Sequence, residues 1–364
     1  MKILFDHQIF SWQRYGGISR YFYEIMRNLS TQITIKNTTF FSDNHYIKNN
    51  SIIKHHSIIP QSDFEWKKQI YSKVNKLNSI LSLKTLKYDI LHPTYYDPYF
   101  LKFIDDKPYV LTVHDLIHEK YPILFSRDDI TIKQKREVIF NATKIIAVSE
   151  NTKKDIIDFY NLPSNKIEVI YHGFELKVND KPNLLNLKLP GRYVLFVGER
   201  TRYKNFDNFA TALSIIMRKD KFLYIVCAGI PFTIDEKNLL KNLKIIDRTL
   251  QYLVNDSELV FLYKNALAFI YPSLYEGFGI PILESFSNDC PVILSNASAF
   301  PEVADDSGVY FNPLDNDSIY EAISSVIYNE EVRKKLMEKG RKRLQQFSWE
   351  LAAKKTEEVY KSIL

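Results

Sequence analysis

Short apolar runs alternate with longer segments of helical spacing along this chain, and the alternation starts twice. In the first half, Lys2-Ile-Leu-Phe5, Asp89-Ile-Leu-His92, Tyr109-Val-Leu-Thr-Val-His114, Lys144-Ile-Ile-Ala-Val-Ser149 and Ile167-Glu-Val-Ile-Tyr-His172 read as strands. Between them, residues 19–29 place Tyr21, Phe22, Ile25 and Leu29 near helical spacing, and Ser149 is set to cap a helix over 151–160. Residues 175–191 are rich in Asn, Lys, Asp and Pro, show no periodicity and read as a linker. The rhythm then restarts, with strands over 193–197, 223–228 and 266–270 and helices over 206–217 and from Ile280 onward. Strands alternating with helices on both sides of a linker predict an α/β protein of two doubly wound, Rossmann-like domains facing a cleft. The 364 residues suffice for about two domains with full cores. The domain boundaries are expected at 1–175 and 190–345.

One stretch carries most of the chemistry: Tyr271-Pro-Ser-Leu-Tyr-Glu276-Gly-Phe-Gly279-Ile-Pro-Ile-Leu-Glu284-Ser. The strand before it is apolar and stopped by Pro272, and the helix after it has Pro281 in its first turn, where a missing N–H costs nothing. Gly277 and Gly279 lack a Cβ, so backbone N–H groups there can approach a ligand closely. The partial positive charge of the helix N-terminus favours an anionic or hydroxyl-rich ligand. Glu276 precedes the helix; Glu284 lies inside it, roughly 6 Å further along the axis at the usual rise. Two acceptors at different depths suit two parts of one long ligand. The spacing alone fits equally a strand–loop–helix unit with two solvated glutamates.

In this setting the two glutamates resemble the E-x7-E motif of the retaining glycosyltransferases of family 4, which have the GT-B fold. The resemblance implies that Glu276, with Gly277, Phe278 and Gly279, holds the donor sugar, and that Glu284 holds the ribose of the nucleotide. It places Gly16 and Gly17, in the loop after the first strand, on the diphosphate and acceptor side of the cleft, and His114, followed by Asp115, near the donor sugar. Taken as residues only, the glycine pair also fits a tight turn and His114 a structural histidine. The chain has no G-x-G-x-x-G and no P-loop, which argues against a dinucleotide or Walker site.

Breaking a sugar–diphosphate bond leaves negative charge on the leaving group, and fixed cations stabilise it. The family places an arginine and a lysine for this on the loop after the 193–197 strand. Lys204 has the family's spacing from Gly198. Glu199 stands where the arginine often is, so Arg200 takes that role here, with Arg202 the other candidate. A second departure follows Glu284, where Asn288-Asp-Cys-Pro291 replaces the usual glycine before Pro-Val; Asn288 tolerates the left-handed cap. By the same resemblance, residues 346–364 form a helix that crosses back to the first domain.

Composition narrows the setting. No apolar run approaches the roughly 20 residues of a membrane span, and the N-terminus turns polar too early for a signal-peptide core. Cys227 and Cys290 stand apart in apolar surroundings, which predicts neither a disulfide nor a zinc site and suits a reducing compartment. The net charge of +6 suits anionic partners without choosing among them. Residues 64–88 set Trp66, Ile70, Val74, Leu77 and Leu81 in an apolar stripe, expected to turn into the core. Lys67, Lys68, Lys73, Lys76, Lys84 and Lys87 surround it, as a solvated basic face or a surface resting on anionic membrane. Asp315-Asn-Asp317 has the form of a metal-binding D-x-D, but the amphipathic segment after it makes Asp315 a helix cap.

The resemblance spans nearly the whole chain. It implies a retaining, metal-independent transferase with no cofactor, moving a hexose from a nucleotide diphosphate sugar to a glycan or polyprenyl-linked acceptor in bacterial lipopolysaccharide or capsule synthesis. GDP-mannose is the first expectation for the donor. The expected location is the cytoplasm, peripheral at the inner face of the plasma membrane, with no nucleic-acid partner. Two other readings stay open: a GT-B enzyme of another reaction, such as a nucleotide-sugar epimerase or a phosphorylase, and a non-catalytic basic binding protein.

Overall fold

The computed structural model describes all residues except 49–52, 54, 58–64, 127, 176–187 and 201, with backbone only for Glu65 and Trp66. The chain divides into two compact units, Met1–Gly173 with Ser348–Leu364, and Phe174–Phe347. Most of the linker expected over 175–191 lies outside the described residues.

The first unit contains β1 (Lys2–Phe5), β2 (Thr34–Asn37), β3 (Ile90–His92), β4 (Val110–Val113), β5 (Lys144–Ala147) and β6 (Ile167–Val169). They pair in parallel as β2-β1-β3 and β4-β5-β6, and a parallel bridge between Leu91 and Tyr109 ties the two sets together. Every residue of β3 and β4 is buried, as parallel strands covered on both faces require. Alternation sends side chains to two cores. Ile3 and Phe5 join Phe22, Ile25, Trp349 and Tyr360 on one face; Leu4 joins Leu91, Leu111, Phe100 and Ile156 on the other.

The helix Trp349–Lys361 belongs to this first unit and packs on the helix Gly17–Asn28. Ser348 caps it by accepting from Leu351 N at 3.0 Å. Gly173 is required there, because a Cβ on it would lie 2.2 Å from the backbone nitrogen of Trp349.

The second unit has β7 (Tyr193–Val197), β8 (Tyr224–Ala228), β9 (Thr249–Tyr252), β10 (Ala268–Tyr271), β11 (Val292–Ser295) and β12 (Gly308–Phe311). Their order is β12-β11-β10-β7-β8-β9, all parallel. β7 and β10 are therefore neighbours from which the chain winds outward in opposite directions. Ligands of open α/β sheets collect at the carboxyl ends of such a pair. Val194, Phe196, Ile225 and Ile270 form the core with Phe209, Leu213, Ile319 and Ile323 from the covering helices. Cys227 and Cys290 are buried free thiols.

Three local expectations are corrected. The stretch after β1, expected as a loop that carries Gly16 and Gly17, contains a short helix, Gln8–Trp12, and Gly17 already opens the next helix. After Glu284, the left-handed residue is Asp289 at φ 54°, whereas Asn288 at φ −113° turns its amide back to the Glu284 carbonyl at 2.8 Å. The helix Glu65–Thr85 has its faces the other way round from the expectation. Its buried side carries Lys67, Tyr71, Asn75, Ser79 and Leu83, while Ile70, Leu77 and Leu81 are 46%, 68% and 59% exposed. Phe64 and the Trp66 side chain lie outside the described residues.

The reason is hydrogen-bonding demand. Beyond β2 a single parallel bridge from Phe41 to His56 leaves Phe40 N, Phe41 N and the Phe41 carbonyl without a strand partner, and Asn75 supplies it: its Oδ1 accepts from Phe40 N and Phe41 N, and its amide donates to the Phe41 carbonyl and to Ser11 Oγ. Lys67 Nζ pairs with Asp43 at 2.5 Å, and Ser79 bonds Thr38. Buried backbone groups left unpaired are costly, so a polar side chain facing them outcompetes an apolar one.

Candidate functional site

The chemistry-bearing residues of the second unit come together at the β7/β10 carboxyl ends. The loop after β7 begins at Gly198, whose φ of 109° favours glycine, and ends at Asn205, the cap of the helix Phe206–Lys219. Asn205 is itself left-handed at φ 57° and holds the Pro313 carbonyl through its amide at 2.7 Å. Leu274 N donates to the Tyr203 carbonyl at 2.7 Å, which stitches this loop to the one after β10.

Across that stitch, Lys204 Nζ meets Glu276 Oε1 at 2.5 Å, with the two side chains only 14% and 17% exposed. The ammonium also lies 5.2 Å and 5.5 Å from the ring centroids of Tyr203 and Tyr271. Burial is the largest single influence and lowers the Lys204 pKa, but Glu276, Tyr203 and Glu199 together outweigh it, and the pKa lies above the ordinary lysine value. The Tyr271 hydroxyl also hydrogen-bonds Glu276; burial first, and then that carboxylate, hold it well above the usual phenol range.

Glu276 is fixed at its backbone by Ser298. Glu276 N donates to Ser298 Oγ at 3.0 Å, and the Ser298 hydroxyl donates back to the Glu276 carbonyl. Ser298 adopts a left-handed backbone at φ 58° to do this. Gly279 at φ 103° opens the helix Ile280–Ser287, with Pro281 in its first turn. A Cβ at Gly279 would press Ile282 and Phe300 at 3.1–3.2 Å, and the dihedral itself disfavours any side chain. Phe278 is buried, its ring 5.9 Å from Phe347, and Gly277 is buried beside it. Inside the helix, Glu284 Oε2 accepts from the buried Tyr263 hydroxyl at 3.1 Å.

Arg200 does not join Lys204. Its side chain is fully buried, with Nε 2.9 Å from Glu236 and Nη2 donating to the carbonyls of Ile230 and Pro231 at 2.7 and 3.1 Å. The guanidinium lies 4.6 Å from the Phe232 ring centroid. It ties the loop after β7 to the loop after β8. Arg202, the other candidate, is exposed in a short 3-10 turn, Arg202–Lys204. Asp315 caps the helix Asn316–Ile327, accepting from Asp317 N at 2.9 Å and Ser318 N at 3.3 Å.

In the first unit, Gly16 immediately precedes the helix Gly17–Asn28. The Gln13 side chain folds over that end: its Oε1 accepts from Ser19 N at 3.1 Å, and a Cβ on Gly16 would strike it. His114 follows β4 and is buried, its backbone N–H donating to the Tyr96 hydroxyl at 3.1 Å. Its ring packs edge-on against Tyr21 and stacks on His172 at 6.0 Å. His114 Nε2 has no hydrogen-bond partner among the described residues. Burial, then His92 and Lys135, push its pKa down to about 3, so the imidazole is neutral at pH 7.

Sequence reasoning missed Ser298, Tyr263, Tyr271 and Glu236. Tyr271 was legible as the last residue before the glycine loop; nothing in the local sequence of the other three marks them, because each acts across the sheet.

The comparisons with known proteins follow the same division. Residues 15–178 match the family described as Glycosyltransferase Family 4, and residues 179–343 match Glycosyl transferases group 1. The O-antigen chain mannosyltransferase B of Escherichia coli is 26% identical over 389 residues, which covers 99% of this chain and 100% of that protein. The O-antigen chain mannosyltransferase RfbU of Salmonella typhimurium is 31% identical over 218 residues, 59% of this chain and 60% of that one. Among solved structures, Anabaena Alr3699/HepE in complex with UDP and glucose superposes with a TM-score of 0.75 at 16% identity, covering 100% of both chains.

Proposed function

The chain belongs to glycosyltransferase family 4, with the GT-B fold, and from that premise we propose that it transfers mannose from GDP-mannose to a hydroxyl of a glycan or polyprenyl-linked acceptor. It is a hexosyltransferase of surface polysaccharide synthesis; a non-catalytic binding protein, an epimerase and a phosphorylase are not favoured. Mannose is proposed from the two mannosyltransferase relatives, and a nucleotide sugar from the UDP and glucose held by the Anabaena protein.

The observation that carries the reading is the Lys204–Glu276 pair at the switch point, beside the N-terminus of the helix that bears Glu284. Lys204 is charged and already desolvated, so it stabilises charge developing on a departing diphosphate without first reorganising water. Glu276, fixed by Ser298 and Tyr271, offers acceptors to sugar hydroxyls. Glu284, anchored by Tyr263, offers its carboxylate to the ribose. Arg200 acts through the loop as a positioning residue. In the first unit, Gly16 precedes the N-terminus of a helix, an end suited to an anionic group, and His114 is a buried, neutral imidazole.

Retention of the anomeric configuration, independence of metal and a place at the inner face of the membrane complete the proposal. Lys204 supplies the cation that a metal would otherwise provide, and Asp315 is engaged as a helix cap. The test is a melting-temperature screen against GDP-mannose, UDP-glucose and dTDP-glucose, followed by nucleotide release with and without acceptor. A ligand bound by the folded state alone raises the melting point. Stabilisation by GDP-mannose and acceptor-dependent release of GDP are expected. Stabilisation by UDP-glucose alone overturns the choice of donor, and release of nucleotide indifferent to acceptor overturns transfer.

A further inference from the structure

At the end of the second sheet opposite the switch point, the turn before β8 and the helices Phe206–Lys219 and Asn316–Ile327 enclose a cavity of about 430 Å³. That volume falls within the roughly 300–1,000 Å³ of small-ligand sites. The five residues of β7 separate the two ends by roughly 16 Å, so the cavity is distinct from the Lys204–Glu276 pair. Phe222, in the turn, is 77% exposed, and Tyr328, which ends the helix Asn316–Ile327, is 53% exposed. Asp220 organises both. Its Oδ1 accepts from Phe222 N at 3.0 Å, and its Oδ2 accepts from the Tyr328 hydroxyl at 3.1 Å and pairs with Arg192 Nη1 at 3.0 Å. Tyr320 also lines the cavity, and its hydroxyl accepts from Lys219 Nζ at 3.1 Å. Lys221 is exposed at the rim. Ser324 Oγ, on the cavity wall, is buried and has no hydrogen-bond partner among the described residues.

We infer that this cavity is a second glycan site, remote from the catalytic one, in which hexose units of a polysaccharide chain rest on Phe222 and Tyr328 and hydrogen-bond to Ser324, Lys219 and Lys221. The choice of occupant rests on the mixture of groups. A hexose carries C–H groups on its faces and hydroxyls around its edge, each able to donate and to accept. The cavity answers both, with aromatic rings for the faces and a hydroxyl and two ammonium groups for the edge. An apolar peptide or an acyl chain would cover the Ser324 hydroxyl and leave it unpaired, which costs free energy. A nucleotide would set its phosphates on Lys219 and Lys221 but beside the Asp220 carboxylate. Because Asp220 fixes the turn and the Tyr328 ring beforehand, a ligand need not order them on arrival. The inference rests on the reading that the chain extends a surface polysaccharide, which supplies the glycan. A growing chain held here stays with the enzyme between transfers.

The full chain is titrated calorimetrically, without donor, with mannotetraose, maltotetraose and GMP, as wild type, as Phe222→Ala/Tyr328→Ala and as Tyr328→Phe. Phe222 meets Asp220 through its backbone N–H, which the alanine keeps, and melting temperatures check that both variants fold. The wild type is expected to bind at least one tetrasaccharide, the double alanine variant on the order of tenfold more weakly, and Tyr328→Phe, which keeps the ring, nearly as well as the wild type. Transfer to a disaccharide acceptor should be unchanged in the alanine variant, while KM for a long polysaccharide acceptor rises. No tetrasaccharide binding, binding that the alanine variant retains in full, GMP as the ligand that this variant loses, or equal loss of transfer to short and long acceptors overturns the inference. Transfer without glycan binding at this cavity sinks the inference and leaves the proposed function standing; glycan binding that the alanine variant weakens, in a chain that transfers nothing, does the reverse.

Discussion

Lys204 Nζ lies 2.5 Å from Glu276 Oε1, although 72 residues separate them. They meet because β7 and β10 are adjacent, so the loops that leave these strands lie side by side. The contact sets a resting state in which each charge holds the other in place. A phosphate or a sugar hydroxyl arriving there exchanges with a partner already positioned.

Replacing Lys204 with Ala should lower kcat by about 10²-fold or more, with a smaller change in KM, because charge on the leaving diphosphate is larger in the transition state than in the bound donor. Steady-state kinetics over a donor series separates the two. A rise in KM with kcat unchanged would make the lysine a binding residue only.

Glu284→Ala should weaken binding of the free nucleoside diphosphate by about 1–3 kcal/mol, since it removes a partly buried acceptor. Tyr263→Phe removes the 3.1 Å bond that anchors the carboxylate and should cost about 0.5–1.5 kcal/mol of the same affinity. Calorimetric titration reads both. Unchanged affinity in Glu284→Ala would take this residue out of the ribose contact.

Ser298 allows the role of a hydroxyl to be separated from that of a backbone angle. At φ 58° a glycine is more comfortable than a serine, which offsets part of the cost of the lost bonds, so Ser298→Gly should still fold. It nevertheless deletes both bonds to the Glu276 backbone, and kcat should fall by roughly tenfold through loss of orientation. Wild-type turnover in the glycine variant would show that the loop holds Glu276 unaided.

The first unit should lose stability as the pH falls below neutrality. His92 and His114 are each pushed down to about 3, both by burial first, against 6.5 in the unfolded chain. Between these values the unfolded chain binds protons that the folded one refuses, so stability rises with pH, by about 1.4 kcal/mol per pH unit for each histidine. Urea unfolding at pH 7 and pH 5 measures it. A midpoint that does not move, or one that His92→Asn leaves equally steep, would contradict the burial of neutral imidazoles.

If Lys204 supplies the cationic charge as proposed, turnover should persist in excess EDTA; Asp315 is already engaged by Asp317 N and Ser318 N. Loss of activity on chelation, restored by manganese, would give Asp315 and Asp317 another role.

Local pattern announced the local parts. The run 193–197 is β7 as read, Ser149 caps its helix at 3.0 Å from Thr152 N, and Pro281 sits in the first turn after Gly279. What the pattern did not carry was pairing across the fold. The resemblance pairs Arg200 with Lys204 at the leaving diphosphate, whereas Glu236, on a helix after a different strand, holds its guanidinium. The stripe Ile70, Val74, Leu77, Leu81 has the spacing of a core face, but Asn75 was needed by Phe40 and Phe41, and the helix turned accordingly. Periodicity finds which side chains share a face. Only the neighbours decide which face is inside.

The helix Trp349–Lys361 has a temporal meaning as well as a structural one. Its Tyr360 hydroxyl bonds His92 Nδ1 at 2.6 Å, and Trp349 and Ala353 fill the core beside Phe5 and Phe22. On the ribosome, the sheet that begins at Lys2 must wait for residues 348–361, made after the whole of the second unit. The second unit, contiguous in sequence from Phe174 to Phe347, can close first. Until residues 348–361 are made, the core beside Phe5 and Phe22 lacks Trp349, Ala353 and Tyr360, so the unit translated first is completed by residues translated last.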